Sequence, residues 1–113
     1  MKYFTEKELA CKCCGVDKTT PEFKEQLEIL RKYFDEPMKV NCAYRCKKHN
    51  KEVGGEPNSY HTKGMAVDIH CPDSSYKAAL AHQALEFGWT VGVYETFLHL
   101  DIRDERILFR GKY

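Results

Sequence analysis

The sequence lacks any long hydrophobic run. No stretch approaches the ~18 consecutive apolar residues that cross a bilayer, and Met1–Leu9 has no apolar core of the kind that a signal peptide needs. We therefore expect a protein that is synthesised in the cytoplasm without a signal peptide and has no membrane as a partner. Any route outward must be supplied by another component.

An excess of charge of one sign is also absent. Eighteen basic residues oppose 17 acidic ones, which gives a formal net charge of +1. Nucleic acids and anionic lipids attract proteins with a strongly basic surface, so neither is an expected partner. The 113 residues, 42% of them hydrophobic, fit one globular domain over residues 1–113, which we expect to be a monomer.

Cysteine, by contrast, is abundant. The six cysteines occur as Cys11-x-Cys13-Cys14, Cys42-x3-Cys46 and Cys71. Without a signal peptide, reduced thiols are the default expectation. The alternative is a structural zinc site that combines Cys11, Cys13 or Cys14 with Cys42 or Cys46, although the spacing matches no familiar zinc ribbon or finger.

Helix signals precede most of the strand signals along the chain. Thr19 as a cap, Pro21 in the first turn and Glu22 three residues after Thr19 predict a helix that ends before Asp35–Pro37. Further helices are predicted over 46–53 and 73–87, and strands over 38–42, 65–69, 89–94, 97–103 and 107–110. This order predicts an α+β fold with a small antiparallel sheet and helices packed on one face.

The segment Ser59–His70 combines a loop histidine with an aspartate on the strand that follows. Side chains alternate between the two faces of a strand, so Asp68 and His70 are predicted on one face and Val67 and Ile69 on the other. If the apolar row packs against a helix, Asp68 faces a cleft.

The predicted strand Phe97–Arg103 has the same alternation, with Leu98, Leu100 and Ile102 on the core face and His99, Asp101 and Arg103 on the opposite one. Two histidines and a carboxylate suit zinc, which keeps a fourth position for water when it is catalytic. His61, Asp68 and His99 supply that set on the face away from the helices. The alternative is that His61 is an ordinary loop residue and His99 a structural strand histidine.

The combined motifs carry a resemblance to a known family. Ser59-x-His61-x2-Gly64-x-Ala66-x-Asp68 followed by Phe97-Leu-His99-Leu-Asp101 resembles the zinc D-Ala-D-Ala carboxypeptidases and peptidoglycan endopeptidases of peptidase family M15. Tyr44-Arg45-Cys46-x2-His49-Asn50 with Val53-Gly54-Gly55 is similar to that family's arginine motif. Phe4–Glu8 with Cys11–Gly15 resembles its entry region.

This resemblance implies Zn²⁺ bound by His61, Asp68 and His99. It also implies that Arg45 holds a substrate carboxylate or carbonyl, a role that suits the planar guanidinium fork. Ser59 is expected beside it, binding substrate or fixing the loop that carries His61.

The sequence departs from the family where a general base is expected. Members often carry a carboxylate three residues before the last ligand, or a histidine two residues before it, and these positions are Thr96 and Phe97 here. Asp101 is the nearest remaining candidate, either as the catalytic base or as a carboxylate that orients a ligand or Arg103. Glu95 and His70 are further candidates for the base.

The function implied by the resemblance is a zinc metallopeptidase that hydrolyses peptidoglycan stem peptides, as a D,D-carboxypeptidase or an endopeptidase. Such a protein acts on the bacterial cell wall and is of bacterial origin or encoded by a phage, like an endolysin. One alternative is a catalytically inactive metal-binding module of the same fold that binds cell-wall peptides. Another is a small phage structural protein whose cysteines bind zinc.

Overall fold

The computed structural model describes residues 1–105 and 107–111, and this part of the chain contains four helices and five strands. The predicted α+β class is confirmed. The elements are α1 (Glu6–Leu9), α2 (Pro21–Phe34), β1 (Val40–Cys42), α3 (Lys47–Glu52), β2 (Ala66–His70), α4 (Ser74–Glu86), β3 (Thr90–Val93), β4 (Phe97–Asp101) and β5 (Leu108–Arg110). Within these described ranges, every helix is too short or too polar to span a bilayer.

The strands form one sheet in the order β1-β2-β4-β3-β5. The pairs β1–β2, β2–β4 and β3–β4 are antiparallel, as the sequence predicts, whereas β3 and β5 are parallel. The chain reverses after β4, and β3 already lies beside β4. The last strand therefore adds beyond β3 and runs in the same direction as β3.

One face of the sheet is covered by the two long helices. Val67 and Ile69 of β2 and Leu98 and Leu100 of β4 are fully buried, as the alternating pattern predicts. They belong to the same hydrophobic cluster as helix residues Phe23, Leu27 and Leu30 of α2 and Leu80 and Ala84 of α4. The polar residues that alternate with these strand positions therefore lie on the other face.

The N-terminal cap of α2 differs from the sequence prediction by one residue. The Thr20 hydroxyl, and not that of Thr19, accepts the hydrogen bond from the Phe23 amide at 3.1 Å. Thr19 donates its amide and hydroxyl to Asp17, and its hydroxyl oxygen accepts from Lys24 Nζ at 2.6 Å instead of from a backbone amide of the helix. A capping box does occur earlier, between Thr5 and Glu8, and it starts the short helix α1.

The loop that carries His61 closes onto the start of α2 at Gly64. The Gly64 carbonyl accepts a hydrogen bond from the Thr20 amide at 3.0 Å. Gly64 has a φ of +71°, and a Cβ built there would lie 2.1 Å from the Lys18 carbonyl oxygen. Both the backbone conformation and the close approach therefore require glycine.

We expect Gly64→Ala to destabilise the fold much more than Gly15→Ala. Gly15 has a similar φ of +73°, but no other atom lies within 4 Å of the place that a Cβ would occupy, so it isolates the conformational cost, about 1 kcal/mol or slightly more. At Gly64 the clash with backbone adds roughly 1–3 kcal/mol. Urea unfolding of both variants measures the difference, and equal losses of unfolding free energy would contradict the close approach at Gly64.

Candidate metal centre

The register of β2 and β4 places two of the predicted ligands side by side. Asp68 lies directly opposite His99, and Ala66 lies opposite Asp101. Because the side-chain period of a strand is two residues, this register fixes both Asp68 and His99 on the polar face. The two residues are 31 positions apart in the chain, and the pairing of their strands brings them together.

The third predicted ligand, His61, is held from a turn. Its side chain is only 3% exposed. Its amide donates to the Ser59 hydroxyl at 3.1 Å, and its carbonyl accepts from the Arg45 amide at 3.2 Å. These contacts aim the imidazole at the sheet, as expected of a loop that positions a functional side chain.

Both predicted histidine ligands approach the same oxygen of Asp68. Asp68 Oδ1 lies 3.1 Å from His61 Nε2 and 3.1 Å from His99 Nδ1. Zinc binds such donors at about 2.0–2.2 Å, so neighbouring donors of a tetrahedral site are about 3.3–3.5 Å apart. The two distances to Asp68 are therefore close to the spacing of a shared ion. The triad is not among the groups of described residues whose donor atoms all lie within 4.8 Å of one another, so the two imidazoles must move closer together to bind one ion.

The second nitrogen of each imidazole is already engaged by an acceptor. His61 Nδ1 lies 2.7 Å from the Ala43 carbonyl oxygen, and His99 Nε2 lies 2.7 Å from Asp101 Oδ2. An imidazole that donates from one nitrogen presents the lone pair of the other, an arrangement typical of metal-binding histidines. His61 Nε2 and His99 Nδ1 are thus the nitrogens directed at the shared site.

The electrostatics of the cluster keep Asp68 ionised. Burial works to raise the pKa of the Asp68 carboxyl, but hydrogen bonds from His61 and His99 outweigh it and hold the pKa well below its usual range. Burial lowers the pKa of His61 and His99, and their carboxylate partners more than reverse that effect. A metal ion at this position would replace the protons that these imidazoles direct at Asp68.

Asp101 is fully buried behind His99. Its Oδ1 accepts from Arg103 Nε at 2.8 Å, and its Oδ2 accepts from Arg103 Nη2 at 2.6 Å in addition to facing His99. Burial works to raise the pKa of Asp101, yet the pairing with Arg103 outweighs it and brings the pKa to about 2. Of the two roles left open by the sequence, this geometry favours orientation of His99.

A cleft of about 410 Å³ opens over the cluster. Arg45 lines it, with Nη2 at 3.3 Å from the Ser59 hydroxyl, while the buried Nε lacks a hydrogen-bond partner among the described residues. A Cβ at Gly55 would lie 2.1 Å from Asn50 Oδ1 and 3.1 Å from Arg45 Nη2, so the glycine leaves room first for the Asn50 amide and then for the guanidinium. The aromatic part of the wall consists of Tyr60, Tyr94, Phe97 and Phe109.

The other residues considered for the general base lie away from the centre of the site. Thr96 and Glu95 are exposed in the turn between β3 and β4. Phe97 lines the cleft and, like Thr96, carries no group that can accept a proton from water. His70 pairs with Phe97 in the β2–β4 register, two residues along the strand from Asp68.

Two residues near the site are not predicted from the sequence. Donor atoms of Cys42, His61 and Asp68 lie within 4.8 Å of one another, because Cys42 on β1 pairs with Asp68 on β2. Glu56 lines the cleft and is exposed. The alternation in 38–42 is the signal for Cys42, but it does not reveal which strand β1 pairs with.

Comparison with known proteins identifies the family of the chain. The family profile described as Peptidase M15 matches residues 2–101. The chain belongs to the peptidase M15 family, which makes it a peptidase of the M15 type and confirms the family resemblance read from its motifs. A search among curated proteins gives no match.

We expect Asp101→Asn to weaken zinc binding by about 10–100-fold, the usual effect of losing a carboxylate that orients a metal-binding histidine. A competition titration with a chromophoric zinc chelator measures the dissociation constant. Asp104→Asn is the matched control, because Asp104 is an exposed carboxylate a short distance further along the chain. An Asp101→Asn protein that is folded and binds zinc like the wild type would rule out the orienting role.

Proposed function

We propose that the protein is a zinc-dependent peptidase that hydrolyses peptide bonds in peptidoglycan stem peptides. The observation that supports this most directly is the position of Asp68 Oδ1, 3.1 Å from one nitrogen of each of His61 and His99. The remaining nitrogens are occupied by the Ala43 carbonyl and Asp101. Three donors with preset orientation under an open cleft suit a catalytic ion better than a closed structural one.

In the proposed enzyme, His61, Asp68 and His99 hold Zn²⁺. When bound, the ion supplies an activated water, whose pKa it lowers from about 15.7 toward ~7, and it polarises the scissile carbonyl. Asp101 and the Ala43 carbonyl keep the two imidazoles oriented. The Asp101–Arg103 pair in turn fixes the carboxylate that His99 depends on.

Arg45 is the proposed anchor for the substrate. Its guanidinium faces the same cleft as the three donors, and it has a buried Nε without a partner among the described residues. A carboxylate of a stem peptide can pair with such a fork through two parallel hydrogen bonds. The hydroxyl of Ser59 steadies the guanidinium from the side.

We assign proton transfer to a carboxylate that lines the cleft. Asp101 is shielded from the cleft and engaged by Arg103 and His99. Among the described residues, Asp68 and Glu56 are the carboxylates that line the cleft. Since Asp68 is a proposed ligand, Glu56 is the candidate that takes the proton from water and passes it to the leaving amine.

A second candidate function is a metal-bearing module that binds cell-wall peptides without cutting them. The shielding of Asp101, together with Thr96 and Phe97 at the positions where relatives often carry a base, favours it. Both candidates share the metal and the anchor Arg45. Turnover of substrate therefore separates them.

We expect zinc-loaded protein to release peptide fragments from purified peptidoglycan, and His61→Ala and Asp68→Ala to release none. Each replacement removes one of three donors, so the zinc of this site is lost as well. His82→Ala is the control, because His82 is exposed and pairs with Glu86 on the same helix, away from the cleft.

Mass spectrometry of the muropeptides and zinc analysis of each variant measure both effects. Wild-type protein that binds muropeptides and leaves them intact would favour the non-catalytic module. Full hydrolysis by His61→Ala would refute the proposed metal site.

We expect Arg45→Ala to lower kcat/KM by about 10–100-fold, since a charge-assisted hydrogen bond contributes about 1.5–3 kcal/mol. The zinc content should stay at the wild-type level, because Arg45 contributes no metal ligand. Lys47→Ala, an exposed basic residue two positions along the chain, should behave like the wild type. Unchanged kinetics for Arg45→Ala on a substrate with a free carboxylate would contradict the anchor role.

A further inference from the structure

A second group of metal-binding side chains lies outside the cleft. The sulfur atoms of Cys11, Cys14 and Cys46 all lie within 4.8 Å of one another. At a zinc–sulfur distance of about 2.3 Å, neighbouring sulfurs of a tetrahedral site are about 3.8 Å apart. The three thiols are therefore close enough to share one ion.

A fourth thiol lies beside this cluster. Cys13 interacts electrostatically with Cys46, although its closest group of possible metal ligands is formed with His49 and Glu52. Structural zinc sites are almost always four-coordinate, and four cysteines are one of their commonest ligand sets.

Backbone amides are directed at these sulfurs. The Cys46 amide donates to Cys11 Sγ at 3.4 Å, and the His49 amide donates to Cys46 Sγ at 3.4 Å. Burial works to raise the pKa of Cys11, but amide hydrogen bonds from Cys46, Cys14 and Cys13 outweigh it and bring the pKa to about 7. Donors of this kind stabilise the thiolate, which is the form that binds metal.

The chain around Cys11 is folded to present its sulfurs together. The Cys11 amide donates to the Val16 carbonyl at 2.8 Å, and the Gly15 amide donates to the Cys11 carbonyl at 2.8 Å. Gly15 closes this tight loop with a φ of +73°. Cys46 approaches from the opposite side as the N-cap of α3.

We propose that Cys11, Cys14 and Cys46 bind a second zinc ion in a structural site, and that Cys13, whose sulfur lies with His49 and Glu52 in the structure, turns toward the ion as the fourth ligand. A disulfide is the other chemistry open to neighbouring thiols, but it joins only two sulfurs. It would leave the other two thiols unpaired, and the amides that donate to Cys11 and Cys46 would have no thiolate to stabilise. All six cysteines, including these four, are free thiols in the structure.

This site ties the N-terminal loop to the segment that carries the substrate anchor. Cys46 directly follows Arg45, whose amide bonds to the His61 carbonyl, and the preceding Tyr44 amide bonds to the Leu9 carbonyl at 3.1 Å. A metal at the cysteines therefore fixes both sides of the short stretch 44–46. Since an ion that binds only the folded chain stabilises it, unfolding should depend on zinc even when the cleft cannot bind it.

The test is the zinc content of purified full-length protein, kept reduced, loaded with Zn²⁺ and freed of excess metal. Cys11→Ser and Cys46→Ser should each hold one zinc per chain fewer than the wild type. Cys71→Ala is the control, since this buried cysteine contacts the Ile69 carbonyl and not the cluster. Equal zinc content in Cys11→Ser and wild type would overturn the proposal.

Alkylation of the wild-type protein tests the proposal if the serine variants fail to fold. Cys13 and Cys14 are exposed, so an alkylating reagent reaches them readily. Zinc should slow the alkylation of Cys14 by at least about tenfold, because a metal-bound thiolate is not free to react. Alkylation at the same rate with and without zinc, or a Cys11–Cys46 or Cys13–Cys14 disulfide in protein purified without reductant, would refute the site.

The same alkylation assay on His61→Ala separates this proposal from that of the catalytic ion. His61→Ala should lose one zinc and keep the protection of Cys14. Loss of protection in this variant would mean that the two groups of residues do not bind metal independently, and would overturn the second site.

Discussion

The candidate site depends on one carboxylate oxygen shared by two imidazoles. Asp68 is held between His61 and His99, and the hydrogen bonds that it accepts keep it ionised despite its burial. An isolated charge in this position would be strongly destabilising. The cluster is therefore tolerated because each ionised group is hydrogen-bonded to another, and the two imidazoles that a metal ion would share with Asp68 already face it.

Support for the cluster comes from residues one layer further out. Asp101 is buried between His99 and Arg103, and the Ala43 carbonyl accepts from His61. Each imidazole is thus fixed on the side that faces away from Asp68. Preorganisation of this kind is what distinguishes a built metal site from histidines that merely lie near a carboxylate.

The short stretch 43–46 connects the parts of the molecule that matter for function. The Ala43 carbonyl orients His61, Arg45 lines the cleft, and Cys46 is one of the three thiols of the cysteine cluster. The proposed structural ion and the proposed catalytic ion therefore act on opposite ends of four consecutive residues.

Local pattern in the chain was enough to predict the faces of the strands and the family. Apolar alternation placed Val67 and Leu98 in the core and Asp68 and His99 on the polar face, and the motifs identified the M15 family. Which strands pair is decided by contacts between residues distant in the chain, and local pattern carries no signal for them. Long-range packing therefore had to bring Cys42 beside Asp68, place β5 parallel to β3, bury Asp101 against Arg103 and gather the thiols around Cys46.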